Sequence, residues 1–246
     1  MPESKWAVKN GKIRIYGVLN KGKKKNTKAI LYVHGLTGHA YDYAATVMAN
    51  SFPAKGYDVI RLYLYHWNED ARQLSDCTLA IHGADVTAVV KHFKKKYKQV
   101  FACGHSYGVP SLLFSKTELL DGMAFWDGSV VPSLTLPDDK YKQTKDGQIW
   151  RWGFEPLIGN GMLKHSAKCT PAFMKKLIGK CKTPTLVVEA SEGMWYKMPY
   201  KFMDWLGGEK KNLVIRDSVH CFYEEGTTAP LMRATKRWFD RFWLET

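Results

Sequence analysis

The chain of 246 residues lacks several features that define other classes of protein. No apolar run approaches the roughly 18 residues that a membrane-spanning helix needs, and the opening MPESKWAVKNGKIRIYG has no apolar signal core. The five cysteines are odd in number and form no CxxC pair, which argues against a disulfide framework. HExxH is also absent, and the histidines show no metal-ligand spacing. We therefore expect a cytoplasmic protein with no transmembrane segment, no metal and no cofactor.

Acidic residues are scarce. Asp and Glu number 23 against 37 Lys and Arg, which gives a formal net charge of +14. Much of the excess lies at 20–28, which we interpret as a hairpin turn, and at 91–98, on the polar side of a predicted helix. Neither cluster is interleaved with exposed aromatic residues as a surface that binds single strands would be. A solvated lysine-rich surface is the simpler interpretation, and contact with nucleic acid or an anionic surface stays open.

The order of apolar segments predicts the fold class. The runs AILYVHG, VFACG and TPTLVVEA are typical of strands buried on both faces, and helical patterns separate them. This alternation predicts one α/β domain over 1–246, with a mostly parallel central sheet and helices on both faces. The pattern degrades over 129–182, which we predict to be a cap insertion. In such sheets, ligands bind beyond the carboxyl ends of the strands.

Candidate chemistry lies at those strand ends. Ser106 stands between Gly104 and Gly108 directly after one predicted strand, and His220 follows the last one. A serine hydroxyl needs a base to become a nucleophile, and an imidazole suits that task near neutral pH. The imidazole in turn needs a carboxylate on its other nitrogen. The two residues therefore predict nucleophilic catalysis.

These segments resemble the α/β-hydrolase superfamily. GHSYG matches its G-x-S-x-G motif, LYVHGLTGH is similar to its oxyanion loop, and the order serine, acid, histidine is its order. The resemblance covers about 12–242 and is to small bacterial carboxylesterases and monoacylglycerol-lipase-like serine hydrolases in particular. It implies an α/β-hydrolase fold and an enzyme that cleaves carboxylic esters through an acyl-enzyme. Ser106 would be the nucleophile and His220 the base, with the backbone N–H groups of Leu36 and Tyr107 as the oxyanion hole.

The acid departs from the superfamily pattern. Without a gap, the segment TLVVEASEG puts Gly193 where the aspartate usually stands, and a one-residue deletion brings Glu192 there. We predict Glu192 as the acid. Asp127, after the preceding strand in AFWDG, is the alternative, and Glu189 is a weaker one.

The substrate is predicted only as a class. Four aromatic residues lie in and near the predicted cap: Trp150, Trp152, Phe154 and Trp195. They indicate a small-molecule ester with an apolar or aromatic acyl group, or they simply pack the cap onto the body. The same triad could act on thioesters, peptides or carbon–carbon bonds, and a non-catalytic basic binding protein is a further alternative. We expect His34 to support the oxyanion loop.

Overall fold

The computed structural model describes residues 3–135, 141–151, 155–193, 195–196, 198 and 202–242. Its strands, in chain order, are β1 (Glu3–Asn10), β2 (Ile13–Asn20), β3 (Lys28–Val33), β4 (Tyr57–Leu62), β5 (Gln99–His105), β6 (Met123–Trp126), β7 (Tyr141–Gln143), β8 (Gly147–Trp150), β9 (Leu157–Gly159), β10 (Thr185–Ala190) and β11 (Lys210–Ile215). Eight of them form one sheet in the order β1-β2-β4-β3-β5-β6-β10-β11. From β4 onward neighbouring strands are parallel, whereas β1 and β2 are antiparallel to their neighbours.

Helices cover both faces of this sheet. They are α1 (Tyr43–Ser51), α2 (Leu79–Lys94), α3 (Gly108–Leu113), α4 (Pro132–Thr135), α5 (Asn160–Lys168), α6 (Pro171–Gly179) and α7 (Thr228–Asp240). Side chains alternate along β3, so Leu31 packs in a core cluster with α2 and α3, while Ile30 packs in a second cluster with α1 and α7. This confirms the predicted α/β architecture with strands buried on both faces.

The segment predicted as a cap lies between β6 and β10. It contains α4, a small antiparallel sheet of β7, β8 and β9, and then α5 and α6. Ile158, Met162 and Met174 belong to the core cluster that includes α2. Part of the segment 129–182 therefore shares the core of the main sheet, and the role of this segment as a cap stays a prediction.

The predicted hairpin at 20–28 is wrong. β2 and β3 do not pair, because β4 lies between them and binds both. The loop instead binds Asp58 near the start of β4, which accepts the Gly22 N–H and the side-chain N–H of Asn26, and its lysines at 21 and 23–25 are exposed. Along α2 the apolar positions Val86, Val89 and Phe93 are buried and Lys91 is exposed, as predicted. Among the described residues, no helix is long and apolar enough to cross a membrane.

Candidate active site

Ser106 occupies a sharp turn between β5 and α3. Its φ is 54°, in the left-handed region that a residue with a side chain rarely adopts. The flanking glycines allow close packing around the turn. A Cβ on Gly108 would lie 2.1 Å from the Val33 carbonyl oxygen, and one on Gly104 would lie 2.8 Å from Leu112 Cδ1. The glycines are therefore required by packing, and the strained turn presents the Ser106 hydroxyl beyond the strand end.

The loop after β3 lies directly against Ser106. A Cβ on Gly35 would be 3.0 Å from Ser106 Cβ, so a larger residue would push the two segments apart. Within the described part of the chain, the backbone N–H groups of Leu36 and Tyr107 donate no hydrogen bond. Both residues line the same cavity as Ser106. Unused N–H groups beside a serine hydroxyl are donors of the kind that an oxyanion requires.

His34 ties this loop to the segment after β4. The Leu64 N–H donates to His34 Nε2 at 3.1 Å, so the ring proton is on Nδ1, which donates to the Gly35 carbonyl at 2.8 Å. The ring is fully buried, and burial lowers its pKa. These two bonds agree with the supporting role that we predicted for His34.

The carboxylate that contacts His220 belongs to Asp127. His220 Nδ1 lies 2.6 Å from Asp127 Oδ2, and Asp127 Oδ1 accepts the Ala190 N–H at 3.3 Å. Asp127 follows β6 and is 1% exposed. Glu192 is exposed, and its backbone N–H donates to the Ser218 carbonyl. The prediction of Glu192 as the partner of His220 is therefore corrected to the alternative, Asp127.

Gly193 gives the physical reason for this correction. A Cβ at position 193 would lie 2.5 Å from Asp127 Oδ2 and 2.8 Å from Oδ1. The carboxylate of Asp127 thus fills the space that a side chain after β10 would need. The glycine at the usual aspartate position and the aspartate after β6 form one arrangement.

Two neighbours of the site were not predicted. His105 Nε2 lies 2.9 Å from the His220 carbonyl, and the two rings are 4.7 Å apart. Burial, then the adjacent His220, lowers the pKa of His105 to about 4, so at neutral pH it is an uncharged donor to that carbonyl. Ser129 Oγ lies 3.3 Å from Ser106 Oγ, and the Ser129 N–H donates to the Ser106 carbonyl. His105 occupies a variable position of the serine motif, and only the proximity of Ser129 to Asp127 in WDGS pointed to it.

A cavity of about 800 Å³ contains both Ser106 and His220 in its wall. Leu134, Trp150 and Trp195 also line it. The remaining lining includes Asp42 and Tyr43 at the start of α1, and Tyr223 from the loop after β11 that carries His220. The other two aromatics of the predicted pocket, Trp152 and Phe154, lie outside the described residues. Across the described ranges, no cluster of three or more His, Cys, Asp or Glu side chains could hold a metal ion.

Comparison with known proteins supports the fold but not a closer relationship. No family model and no curated protein matches the chain. Solved structures match over nearly its whole length. Est1E from Butyrivibrio proteoclasticus with ferulic acid bound has a TM-score of 0.78 at 17% identity, over 96% of this chain and 98% of that one. The chain has the α/β-hydrolase fold.

Two further α/β-hydrolase structures match over a similar share of the chain. The esterase domain of a Rhodothermus marinus protein has a TM-score of 0.74 at 15% identity, over 98% of this chain and 99% of that one. Dienelactone hydrolase from Anabaena variabilis has a TM-score of 0.70 at 14% identity, over 98% and 97%. In the α/β-hydrolase fold seen here, the loops after β3, β5, β6 and β11 converge on the cavity.

Proposed function

We propose that this protein is a serine hydrolase that cleaves carboxylic esters through an acyl-enzyme. Ser106 is the nucleophile, His220 the base and Asp127 the acid. The contact of 2.6 Å between His220 Nδ1 and Asp127 Oδ2, in a site that shares its cavity with Ser106, carries the proposal. A carboxylate on Nδ1 keeps the proton there and leaves Nε2 as the basic nitrogen.

The reaction follows from these positions. Ser106 Oγ attacks the ester carbonyl while its proton passes to His220 Nε2, and the backbone N–H groups of Leu36 and Tyr107 stabilise the negative oxygen of the tetrahedral intermediate. When the ester C–O bond breaks, His220 returns the proton to the leaving alcohol. Water then hydrolyses the acyl-enzyme by the same route.

Ser106 Oγ contacts Ser129 Oγ. Catalytic hydrogen bonds often tighten only when substrate is present, so this resting contact is compatible with transfer to His220.

The lining of the cavity favours an apolar or aromatic acyl group. Leu134 and Trp150, both from 129–182, face it together with Trp195, which supports the interpretation of that segment as a cap. Est1E, with the same fold, has been solved with ferulic acid, an aromatic acid, bound. These observations favour a small-molecule ester substrate with such an acyl group.

Ester hydrolysis and covalent labelling of the nucleophile test the function. The protein is incubated with p-nitrophenyl acetate, butyrate and octanoate in the presence of a metal chelator, and separately with an aryl organophosphonate. We expect turnover of at least one ester and a single phosphonate adduct on the tryptic peptide that contains Ser106. A thioester of the same acids shows whether acyl transfer extends beyond oxygen esters. Absence of both turnover and adduct, or an adduct on another residue, would contradict the mechanism.

Replacing Gly193 by alanine is expected to impair the reaction although it changes none of the three triad residues. The added Cβ would lie 2.5 Å from Asp127 Oδ2, so the carboxylate must move away from His220. A displacement of about 1 Å in such a site can cost on the order of a hundredfold in turnover, and we expect a loss of kcat of that size. Gly179→Ala is the matched control, because its nearest contact would be an ordinary 3.7 Å. Equal kcat values for the two variants would mean that Asp127 is not held where catalysis needs it.

A further inference from the structure

The two lysine clusters of the sequence meet at one edge of the main sheet. The parallel strands β3, β4 and β5 begin at Lys28, Tyr57 and Gln99, and these three residues pair side by side. The segment 20–28 therefore reaches this edge directly before β3, and the segment 91–98 reaches it directly before β5. The carboxyl ends of the same strands form the opposite edge, where the cavity lies.

Asp58 joins the two segments. Its Oδ1 accepts the Gly22 N–H at 3.0 Å, and its Oδ2 accepts the Tyr97 hydroxyl at 2.7 Å. The Lys98 N–H also donates to the Thr27 carbonyl at 2.8 Å. Asp58 is buried, and neither segment contains an acidic residue of its own. The segments are therefore held against each other without an acidic side chain at their surface.

The lysines where the two segments meet are exposed and keep their charge. None of them forms an ion pair with another described residue. They project from two parts of the chain that are distant in sequence but adjacent in the fold. We call these exposed lysines the basic edge: Lys21, Lys23, Lys24, Lys25, Lys95, Lys96 and Lys98.

Local structure accounts for only part of the basic edge. The helix α2 ends at this edge, and cations beside the last turn stabilise a helix, which explains Lys95 and Lys96. The lysines at 21 and 23–25 belong to a loop and stabilise no helix end in this way. Like charges that are gathered in one place repel one another and disfavour the compact state. An anionic partner would relieve that repulsion.

The composition of the basic edge favours a bilayer surface over a nucleic acid. Proteins that bind nucleic acids supplement lysine with arginine, with helix N-termini and with exposed aromatic side chains. The segments 20–28 and 91–98 contain no arginine, and Phe93 and Tyr97 are buried. The helix α2 presents its C-terminus, the negative end of its dipole, to this edge. An anionic bilayer needs none of these groups, because each lysine near its surface contributes by charge alone.

We propose that the basic edge binds the surface of an anionic phospholipid bilayer. The attraction is electrostatic and inserts nothing into the lipid, because none of the large hydrophobic side chains exposed in the described part of the chain lies in 20–28 or 91–98. Since the cavity lies at the opposite edge of the sheet, a bound molecule keeps its candidate active site open to water. This surface is separate from the proposed catalytic residues and does not depend on their function.

Sedimentation with phospholipid vesicles tests the proposal. The full chain is mixed with vesicles of phosphatidylcholine alone and with vesicles in which about one third of the lipid is phosphatidylserine. We expect binding only to the vesicles that contain phosphatidylserine. Raising the salt from about 0.1 M to about 1 M should release the protein, because the Debye length falls from about 10 Å to about 3 Å. Equal binding to both kinds of vesicle, or binding that persists at high salt, would contradict an electrostatic site.

Two triple variants show whether both segments take part. One combines Lys23→Gln, Lys24→Gln and Lys25→Gln, and the other combines Lys95→Gln, Lys96→Gln and Lys98→Gln. Each lysine near an anionic bilayer contributes about fivefold to binding, so each variant is expected to weaken the binding to phosphatidylserine vesicles about a hundredfold. The bonds that join the segments involve Asp58 and main-chain groups, which these changes leave in place, so Tm should stay close to that of the wild type.

A third triple variant is the matched control, because it removes the same charge elsewhere. It combines Lys9→Gln, Lys12→Gln and Lys142→Gln, all at exposed positions. Lys9 and Lys12 flank the turn before β2, which lies toward the carboxyl end of β4 because Gly17 pairs with Leu62. Lys142 lies in the small sheet, whose strand β8 reaches the cavity. The control is expected to bind vesicles nearly as well as the wild type.

Three results would overturn the proposal. They are equal binding by the control and the two edge variants, retention of the protein by duplex DNA but not by the vesicles, or loss of p-nitrophenyl butyrate turnover when the protein binds vesicles. The last result would place the mouth of the cavity, and not the basic edge, against the lipid. If the free protein cleaves no ester, the proposed function fails, and sedimentation still decides whether the basic edge binds a bilayer.

Discussion

Replacing Ser106 by alanine is expected to lower the turnover of p-nitrophenyl butyrate by about five to six orders of magnitude, because loss of the nucleophile in a serine hydrolase has an effect of that size. The variant should fold normally, since alanine keeps the Cβ of residue 106, which faces Gly35. The measurement is kcat with active-site titration, so that traces of wild-type enzyme are counted.

Ser129→Ala is the matched control for this prediction. It removes a second hydroxyl whose Oγ lies only 3.3 Å from that of Ser106. We expect it to cost about tenfold or less, the effect of one lost hydrogen bond. The reverse ranking of the two variants, with both folded by circular dichroism, would move the nucleophile to Ser129 and contradict the mechanism.

The parts of the site that the sequence predicted are those encoded locally. The turn at Ser106 needs glycines at both flanks because Val33 and Leu112 pack against them, and that requirement is visible in five consecutive letters. The buried strands are likewise visible in the sequence as apolar runs. The sequence therefore predicted the fold class and the positions of Ser106 and His220 at strand ends.

The errors concern which segments meet across the sheet. The loop at 20–28 looked like a hairpin because nothing in it reveals that β4 inserts between β2 and β3. The acid was misplaced for the same reason, since Gly193 reads as a missing aspartate until the carboxylate of Asp127 is seen in its place. Such contacts depend on tertiary packing, which local patterns do not encode.

Replacing Asp127 by asparagine is expected to have the second largest effect on kcat. Asp127→Asn keeps the size of the side chain and removes its charge, so the His220 imidazole loses both the fixed proton on Nδ1 and the stabilisation of its charged form. In the chymotrypsin example, the same change lowers kcat by about 10⁴, and we expect a loss of similar size here. Because the amide oxygen of the introduced side chain can still accept the Ala190 N–H, the fold should persist, which Tm can verify.

Glu192→Gln makes this prediction decisive. It applies the same chemical change to the carboxylate that the sequence favoured, but Glu192 is exposed and Asp127 already occupies His220 Nδ1. We expect a loss of kcat of about tenfold or less, as for a group outside the reacting set. Turnover of p-nitrophenyl butyrate is measured for both variants across pH 5 to 9, so that a shifted optimum is not mistaken for a lost acid. If Glu192→Gln loses most of its kcat and Asp127→Asn keeps it, the acid comes from the loop after β10 and not from Asp127. Equal, small losses would mean that His220 works without a carboxylate partner, against the contact on which the proposed function rests.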